Sequence, residues 1–163
     1  MKCNAREFAD MYKNIYKDLY KFAFCIMKDP HDAEDTVSEA VIQAYDNIAQ
    51  LRNAESFKSW VFRILYNICQ KKLKKEQKNK MVEFESFFGE EIAAPEKDYG
   101  LSVDVQKAFS ILSKEEKMII GLSVFGGYRS NEIGQLLHMN ENTIRSKRSR
   151  ALAKMSIVLE GEY

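Results

Sequence analysis

Four cations lie close together near the end of the chain, at Arg145, Lys147, Arg148 and Arg150. The segment around them, residues 142–154, holds five basic residues and no acidic one. Ammonium and guanidinium groups neutralise phosphates, and an arginine can donate two hydrogen bonds to the edge of a guanine. The segment therefore predicts contact with a nucleic acid, although the whole chain carries a net charge of only +1.

Two short helical patterns position these cations. The first covers residues 130–137, a turn follows at residues 138–140, and the basic helix begins near Glu141 with Asn140 as its cap. A helix, a short turn and a second, basic helix form the layout of a DNA-binding helix-turn-helix, in which the start of the second helix faces the base edges.

A second basic segment, residues 63–80, has seven basic residues and one acidic residue. It belongs to a helix that Ser56 is predicted to cap. The apolar side of this helix is predicted to be Phe57, Trp60, Val61, Ile64, Leu65, Ile68 and Leu73. The other side combines cations with amides, at Arg63, Asn67, Gln70, Lys71, Lys74 and Lys75, next to Trp60, Phe62 and Tyr66. This side is either a lysine face exposed to solvent or a nucleic-acid surface. The second interpretation rests on the amides and aromatic rings, which can form hydrogen bonds with bases and stack on them.

An acidic helix is predicted over residues 31–48. Asp29 can cap it, and Asp32, Glu34 and Asp35 lie at its start, where the helix dipole favours negative charge. Its predicted buried stripe is Ala33, Val37, Ala40, Val41, Ala44, Tyr45 and Ile48. The acids either stabilise the end of this helix or form a docking surface for a basic partner.

The remaining patterns complete an all-α fold of two small helical domains. One long N-terminal helix is predicted from Phe8 to Ile26, and Ser113 with Glu116 fits a capping box. Residues 81–100 are acidic and have little helical periodicity, so they are predicted to be a linker. The predicted domains are residues 1–80 and residues 101–163, and the helix-turn-helix lies in the second.

Several function classes find no support in the sequence. Cys3, Cys25 and Cys69 match no zinc spacing, and Cys25 and Cys69 are predicted to be buried thiols in a reducing compartment. No apolar run suits a signal peptide or a membrane span. No nucleophile–base pair or phosphate-binding glycine loop is present. We therefore expect a cytoplasmic protein without membrane insertion that is not an enzyme, with no cofactor, no metal and no small-molecule substrate.

Both domains together match one family. The first-domain motifs are DAEDTVSEAVIQAYDNI at residues 32–48 and SFKSWVFRILYN at residues 56–67. The second-domain motifs are AFSILSKEEKMII at residues 108–120 and NEIGQLLHMNENTIRSKRSRALAKM at residues 131–155. On these motifs the chain resembles a bacterial RNA polymerase sigma factor of the short, extracytoplasmic-function (ECF) type.

The resemblance implies that the chain binds core RNA polymerase and directs promoter-specific transcription initiation. The first domain would bind the polymerase clamp and open the minus-ten promoter element. The second would read the minus-thirty-five element in the major groove. The linker would pass through the active cleft of the polymerase, and the family is commonly held inactive by an anti-sigma factor, so we expect such a partner as well.

The resemblance also assigns residues to these roles. Polymerase binding falls on Asp32, Glu34, Asp35 and Glu39. The loop that captures a flipped base corresponds to Leu51, Arg52, Asn53, Ala54 and Glu55, and the other minus-ten contacts fall on Lys58, Trp60, Arg63, Asn67, Gln70, Lys71 and Lys74. Minus-thirty-five contacts fall on Asn142, Thr143, Arg145, Ser146, Lys147, Ser149 and Arg150. Trp60 can instead be a core residue.

Three positions depart from the family pattern. Glycine is usual where His138 and Asn142 stand, and His138 would need a left-handed backbone. An aliphatic residue is usual at Arg148, which interrupts the predicted stripe of Ile144 and Leu152. Either the Arg148 stem lies along the edge of the core or this helix is rotated relative to the family.

Two rival functions share these features. A helix-turn-helix regulator that acts without polymerase would bind its operator tightly as the free protein. A structural or inhibitory helical protein would bind neither core polymerase nor DNA. In vitro transcription with purified core polymerase separates all three.

Overall fold

The computed structural model describes residues 2–80 and 99–161, and the regular structure of these residues is helical. The predicted all-α class is confirmed. Most of the predicted linker, residues 81–98, lies outside the described residues. The eight α-helices in the described part are α1 Ala5–Lys13, α2 Tyr16–Met27, α3 Pro30–Asp46, α4 Phe57–Lys80, α5 Val103–Ser110, α6 Lys114–Val124, α7 Ser130–Leu137 and α8 Glu141–Leu159.

The predicted single N-terminal helix is wrong, because the chain breaks between α1 and α2. The N–H groups of Asn14 and Ile15 bond to carbonyls only three residues back, at Met11 and Tyr12. The break allows α1 to turn Phe8 across the end of the domain, where its ring meets the Phe57 ring edge-on at 5.4 Å. Tertiary packing therefore overrides a continuous apolar periodicity here.

Helix α3 begins as predicted. The Asp29 carboxylate accepts hydrogen bonds from the His31 N–H at 2.7 Å and the Asp32 N–H at 3.1 Å, and Pro30 occupies the first turn. Its packing face is narrower than predicted, since the buried apolar members of the stripe are Ala33, Val37, Ala40 and Ala44. Tyr45 is 43% exposed, which corrects its placement in the core. Small alanines let α3 lie close to α2 and α4, so a tyrosine beyond that contact line stays outside.

Two expectations about α4 are also corrected. Asn53, rather than Ser56, caps the segment, and its side chain accepts a hydrogen bond from the Ser56 N–H at 3.0 Å. Phe62 and Tyr66, which the sequence places beside the polar face, are buried. The Phe62 ring meets the Phe22 ring of α2 edge-on at 5.8 Å. Phe62 therefore stabilises the core and is not available to stack on a base.

The predicted local signals of the second domain are confirmed. Ser113 and Glu116 form a reciprocal capping box at the start of α6. His138 ends α7 with a left-handed backbone at φ 57°, and the Asn140 side chain caps α8 through the Asn142 N–H at 2.8 Å. These signals act within three residues of chain, so local sequence suffices to specify them.

The two domains pack directly against each other. Gly121 of α6 lies so close to the Phe22 ring that a Cβ atom there would be 2.7 Å from the ring. The Tyr128 hydroxyl donates a hydrogen bond of 2.5 Å to the Ser59 carbonyl of α4. Both contacts join elements far apart in sequence; the first is buried and the second is partly buried. Across the described ranges, no helix combines the length and apolar character that a membrane crossing requires.

Candidate polymerase and nucleic-acid surfaces

The predicted polymerase-binding acids lie on α3. Asp32, Asp35 and Glu39 are exposed, whereas Glu34 is half-buried. Glu39 forms an ion pair with Lys72 of α4 at 3.1 Å. Asp32 and Asp35 have no ion pair among the described residues, so their charge faces solvent.

An apolar residue extends this acidic surface. Ile42 is 63% exposed and follows Asp35 and Glu39 at helical spacing, so the three side chains share one face of α3. The sequence prediction omitted Ile42. The sequence pattern could have identified it, because Ile42 lies outside the alanine stripe through which α3 packs against the core. Protein–protein interfaces have an apolar centre and a polar rim, so Ile42 can supply an apolar contact that the acids of α3 surround.

The predicted base-capturing loop is ordered by its own side chains. Leu51 is buried, while Arg52, Asn53, Ala54 and Glu55 are exposed. The Asn53 side chain accepts hydrogen bonds from the Ser56 N–H and the Ser56 hydroxyl, both at 3.0 Å. Leu51 therefore anchors the loop in the core, and the four residues after it carry the surface that a base can reach.

A groove of about 430 Å³, lined by both polar and apolar side chains, opens beside this loop. Its first wall is the loop and the start of α4, with Trp60 and Arg63, and its second wall is α7 with the preceding Tyr128. Burial, followed by the charge of the nearby Glu132 carboxylate, raises the pKa of the Tyr128 hydroxyl to about 12, while the Arg63 guanidinium acts in the opposite direction. Tyr128 therefore stays a hydrogen-bond donor to Ser59, and the contact holds α7 across the groove.

The outer face of α4 carries most of the other predicted minus-ten residues. Arg63, Asn67, Lys71 and Lys74 are exposed along one side. Gln70 is half-buried, and its amide donates to the Tyr66 hydroxyl at 2.7 Å. Lys58 pairs with Asp18 of α2 at 2.9 Å, and Trp60 is half-buried in the groove wall. The four exposed residues are thus available for DNA, whereas Gln70 and Lys58 have structural partners.

The predicted minus-thirty-five residues divide in a similar way. Asn142, Thr143, Arg145, Ser146, Ser149 and Arg150 are exposed on α8. Arg145 pairs with Glu141 one turn earlier at 2.7 Å. Lys147 is half-buried and forms an ion pair with Glu115 of α6. Lys147 therefore fastens α8 to its own domain, and the structure separates it from the exposed cations.

Arg148 lies at the edge of the buried stripe of α8. The buried members of that helix are Ile144, Ala151 and Met155, whereas Leu152 is 40% exposed. Arg148 itself is half-buried. Its stem lies at the core boundary, so the inward face of the helix follows residues 144, 151 and 155 rather than the predicted Ile144 and Leu152.

Comparisons with known proteins agree with both modules. Residues 11–79 match the model of Sigma-70 region 2, and residues 102–155 match the model of Sigma-70, region 4. The RNA polymerase sigma factor SigV of Bacillus subtilis is 31% identical over 146 residues, which cover 90% of this chain and 87% of that protein. The ECF RNA polymerase sigma factor SigW of the same organism is 26% identical, and the match covers 86% of this chain and 82% of SigW.

Two solved structures have the same fold. The sigma factor RpoE of Bartonella quintana, in complex with the anti-sigma factor NepR, superposes with a TM-score of 0.78 at 23% identity and covers 98% of this chain and all of that one. CnrH, in complex with the cytosolic domain of CnrY, has a TM-score of 0.64 at 17% identity, over 98% of this chain and 92% of that one. The sequence matches over both modules, and this shared fold, place the chain in the family of ECF RNA polymerase sigma factors.

Proposed function

We propose how this sigma factor uses its surfaces to bind core RNA polymerase and direct transcription initiation at promoters. The N-terminal domain, residues 1–80, would contact the polymerase clamp through α3 and the minus-ten element through α4 and the loop before it. The C-terminal domain, residues 101–163, would contact the minus-thirty-five element through α8. Residues 81–100 would form the linker between them.

On the polymerase side, the proposal rests on the free carboxylates of Asp32 and Asp35 and on the exposed Ile42. Glu39 would contribute less, because Lys72 already neutralises part of its charge. Glu34 would contribute only after it is released from its contact with Tyr99, which bonds to it at 3.2 Å. Carboxylates raise the rate of association with a basic partner. An apolar residue at the centre of the interface contributes affinity, because it is removed from water on binding.

On the DNA side, one observation carries the proposal. Two separate helices, α4 and α8, present exposed cations together with amides or hydroxyls, and apart from Arg145, which pairs with Glu141, the predicted contact residues Arg63, Lys71, Lys74 and Arg150 have no ion pair among the described residues. Cations supply the salt-dependent phosphate contacts, and amides, hydroxyls and arginines supply base contacts. The loop residues Arg52, Asn53, Ala54 and Glu55 would line the pocket for a flipped base, whose extrusion costs a few kcal/mol.

The described arrangement is a closed form of the chain. Helix α7 faces the loop across the groove, and the Tyr128–Ser59 hydrogen bond holds it there. Opened single-stranded DNA needs this groove, so we propose that the domains separate when the chain binds polymerase. Fluorescence energy transfer between labels on α3 and α8 should fall when core polymerase is added. An unchanged transfer efficiency would contradict this step.

In vitro transcription with purified core polymerase tests the function as a whole. We expect promoter-specific transcripts only when this chain is added, and weak DNA binding by the chain alone. Tight operator binding by the free protein would favour a polymerase-independent regulator. The polymerase would carry out the chemistry in the cytoplasm, and this chain would choose the start site.

We also propose an anti-sigma partner. One of the two similar solved structures is a complex with the anti-sigma factor NepR, and the other is a complex with the cytosolic domain of CnrY. That partner would hold the domains closed and cover the cations of α4. The chain produced in cells without any candidate inhibitor should then activate its promoters constitutively. Equal activity with and without the inhibitor gene would refute the proposal.

A further inference from the structure

Four tyrosines and one acid line an open pocket beside the start of α3. The pocket measures about 410 Å³, and its rings belong to Tyr12 of α1, to Tyr16 and Tyr20 of α2, and to Tyr99, which precedes the second domain. Glu34 of α3 is the one charged side chain that lines it within the described ranges. The sequence prediction gives none of these tyrosines a binding role.

The four rings form a continuous aromatic wall. The ring centroids of Tyr12 and Tyr16 are 5.9 Å apart, and those of Tyr16 and Tyr99 are 6.4 Å apart. Tyr99 in turn stacks on Tyr20, with 3.6 Å between the centroids. Tyr12, Tyr16 and Tyr99 are half-buried, so part of each ring stays accessible from the pocket. Because the faces of aromatic rings carry a negative potential, such a wall attracts a cation.

Glu34 adds a carboxylate to this wall. It forms no ion pair with a cation of the described residues, and one of its oxygens accepts the Tyr99 hydroxyl at 3.2 Å. A carboxylate can accept about four hydrogen bonds, so this contact leaves most of its acceptor positions open. Ser38, one turn later on α3, adds an exposed hydroxyl to the lining. The charge of the lining is therefore complementary to a cationic side chain.

A guanidinium suits this lining better than an ammonium. It is planar, so it can stack on a ring while its N–H groups donate to a carboxylate, whereas an ammonium is a compact point charge. Tyr99 already combines these two contacts within the chain, because its flat ring stacks on Tyr20 and its hydroxyl donates to Glu34. An arginine of a partner can therefore form the same pair of interactions and add a positive charge.

We propose that this pocket receives an arginine side chain of core RNA polymerase, whose guanidinium packs against the tyrosine rings and replaces the Tyr99 hydroxyl as the donor to Glu34. The proposal rests on the proposed function of α3 as a polymerase-binding surface. It extends that surface from the exposed Asp35 to α1 and α2 through Tyr12 and Tyr16. It also makes the segment before the second domain a competitor of polymerase for one acid.

A measurement without polymerase tests the pocket by itself. Acetyl-arginine amide is titrated into the purified full chain while the aromatic NMR signals of the tyrosines are followed, and the neutral isostere acetyl-citrulline amide is the matched probe. We expect saturable shifts at roughly millimolar arginine and binding of citrulline about tenfold weaker or less. Equal shifts with both probes, or no saturable shift with arginine, would overturn the proposal.

Variants locate the binding within the pocket. Glu34→Gln should weaken binding of the arginine probe about tenfold, and Tyr16→Leu about two- to fivefold. Tyr16→Phe keeps the ring and should bind like the wild type, which separates loss of the ring from loss of the fold. Tyr45→Leu and Asp10→Asn remove a ring and a charge outside the pocket and are the matched controls. Unchanged affinity in both Glu34→Gln and Tyr16→Leu would contradict the site.

Titration of core polymerase distinguishes failure of the pocket from failure of the proposed function. Asp35→Asn changes the proposed polymerase surface outside the pocket and should weaken core binding in either case. Tyr16→Leu should weaken it about two- to fivefold, and Tyr16→Phe should not. If Asp35→Asn weakens core binding and Tyr16→Leu does not, the pocket takes no polymerase arginine and the proposed function stands. If neither variant changes core affinity, the proposed polymerase surface fails as well.

Discussion

The Tyr99 hydroxyl donates a hydrogen bond of 3.2 Å to the Glu34 carboxylate, across 65 residues of sequence. The Tyr99 ring stacks on the Tyr20 ring of α2, with 3.6 Å between ring centroids. The segment that leads into the second domain therefore rests on the first domain, and it engages one of the acids proposed to bind polymerase. Closure of the chain and availability of Glu34 are linked by this contact.

Tyr99→Phe should free Glu34 while keeping the ring. We expect affinity for core polymerase to rise about two- to fivefold, because one hydrogen bond to a charged group no longer competes. Fluorescence anisotropy titration with labelled chain measures the change. Glu34→Gln is the counterpart variant and should bind core polymerase more weakly than the wild type. Unchanged affinity of Tyr99→Phe would show that Glu34 takes no part in polymerase binding.

The hydroxyls of Tyr99 and Tyr128 should ionise at a higher pH than that of an ordinary tyrosine. Burial, followed by the Glu34 charge and hydrogen bond, raises the pKa of Tyr99 to about 12, and burial raises that of Tyr128 to about 12, both from an ordinary value of 10.0. A raised tyrosine pKa means that the neutral hydroxyl stabilises the folded chain. This contribution is complete below pH 10 and is lost as the pH rises through 12. Ultraviolet titration should show one fewer tyrosine that ionises near pH 12 in Tyr99→Phe and in Tyr128→Phe. Ionisation of both tyrosines near pH 10 in the wild type would contradict their burial.

Gly121→Ala should destabilise the chain even though alanine favours helix. The added methyl would be 2.7 Å from the Phe22 ring, which is fully buried and cannot move away easily. Overpacking of this kind costs about 1–3 kcal/mol, against a gain of roughly 1 kcal/mol in helix propensity. Denaturant unfolding measures the net loss. Phe22→Leu in the same chain should reduce the cost of Gly121→Ala, and strict additivity of the two changes would contradict the contact.

Asn140 and Asn142 should separate stability from DNA binding. Asn140→Ala removes the cap of α8 and should lower the free energy of unfolding by about 0.5–2 kcal/mol. Asn142→Ala leaves the cap in place, so it should change stability little and weaken binding of holoenzyme to promoter DNA. Thermal unfolding and promoter-binding titrations measure the two effects. The hypothesis fails if Asn142→Ala lowers stability as much as Asn140→Ala.

Arg150 and Lys147 should behave differently despite their equal charge. Arg150→Ala should weaken holoenzyme binding to the minus-thirty-five element and reduce the slope of log affinity against log salt by about 1. Lys147→Ala breaks the ion pair with Glu115, so its main effect should be on the stability of the second domain. Promoter affinity at several salt concentrations, with unfolding curves for both variants, checks the assignment. Equal salt slopes for Arg150→Ala and the wild type would remove Arg150 from the DNA surface.

The sequence by itself determined the features that depend on short-range bonds. The Ser113–Glu116 capping box, the left-handed His138 and the Asn140 cap each involve groups within about three residues, so residue type and spacing specify them. The apolar periodicity also predicted α7 and the start of α8, and the ordered pair of modules identified the family. The exposed acids of α3 and the exposed cations of α4 and α8 follow from the same patterns.

Only the tertiary structure decided which of these side chains are free. Phe62 and Tyr66 lie on a face that looks polar in sequence, but packing of α2 and the second domain buries them. In the sequence Lys147 resembles its basic neighbours, but the fold places Glu115, 32 residues away, beside it. In the sequence Lys117 resembles an exposed helix lysine, but α2 covers it in the fold. Long-range contacts change burial, and burial sets the free energy of a charge or a ring, so no local pattern could have predicted these outcomes.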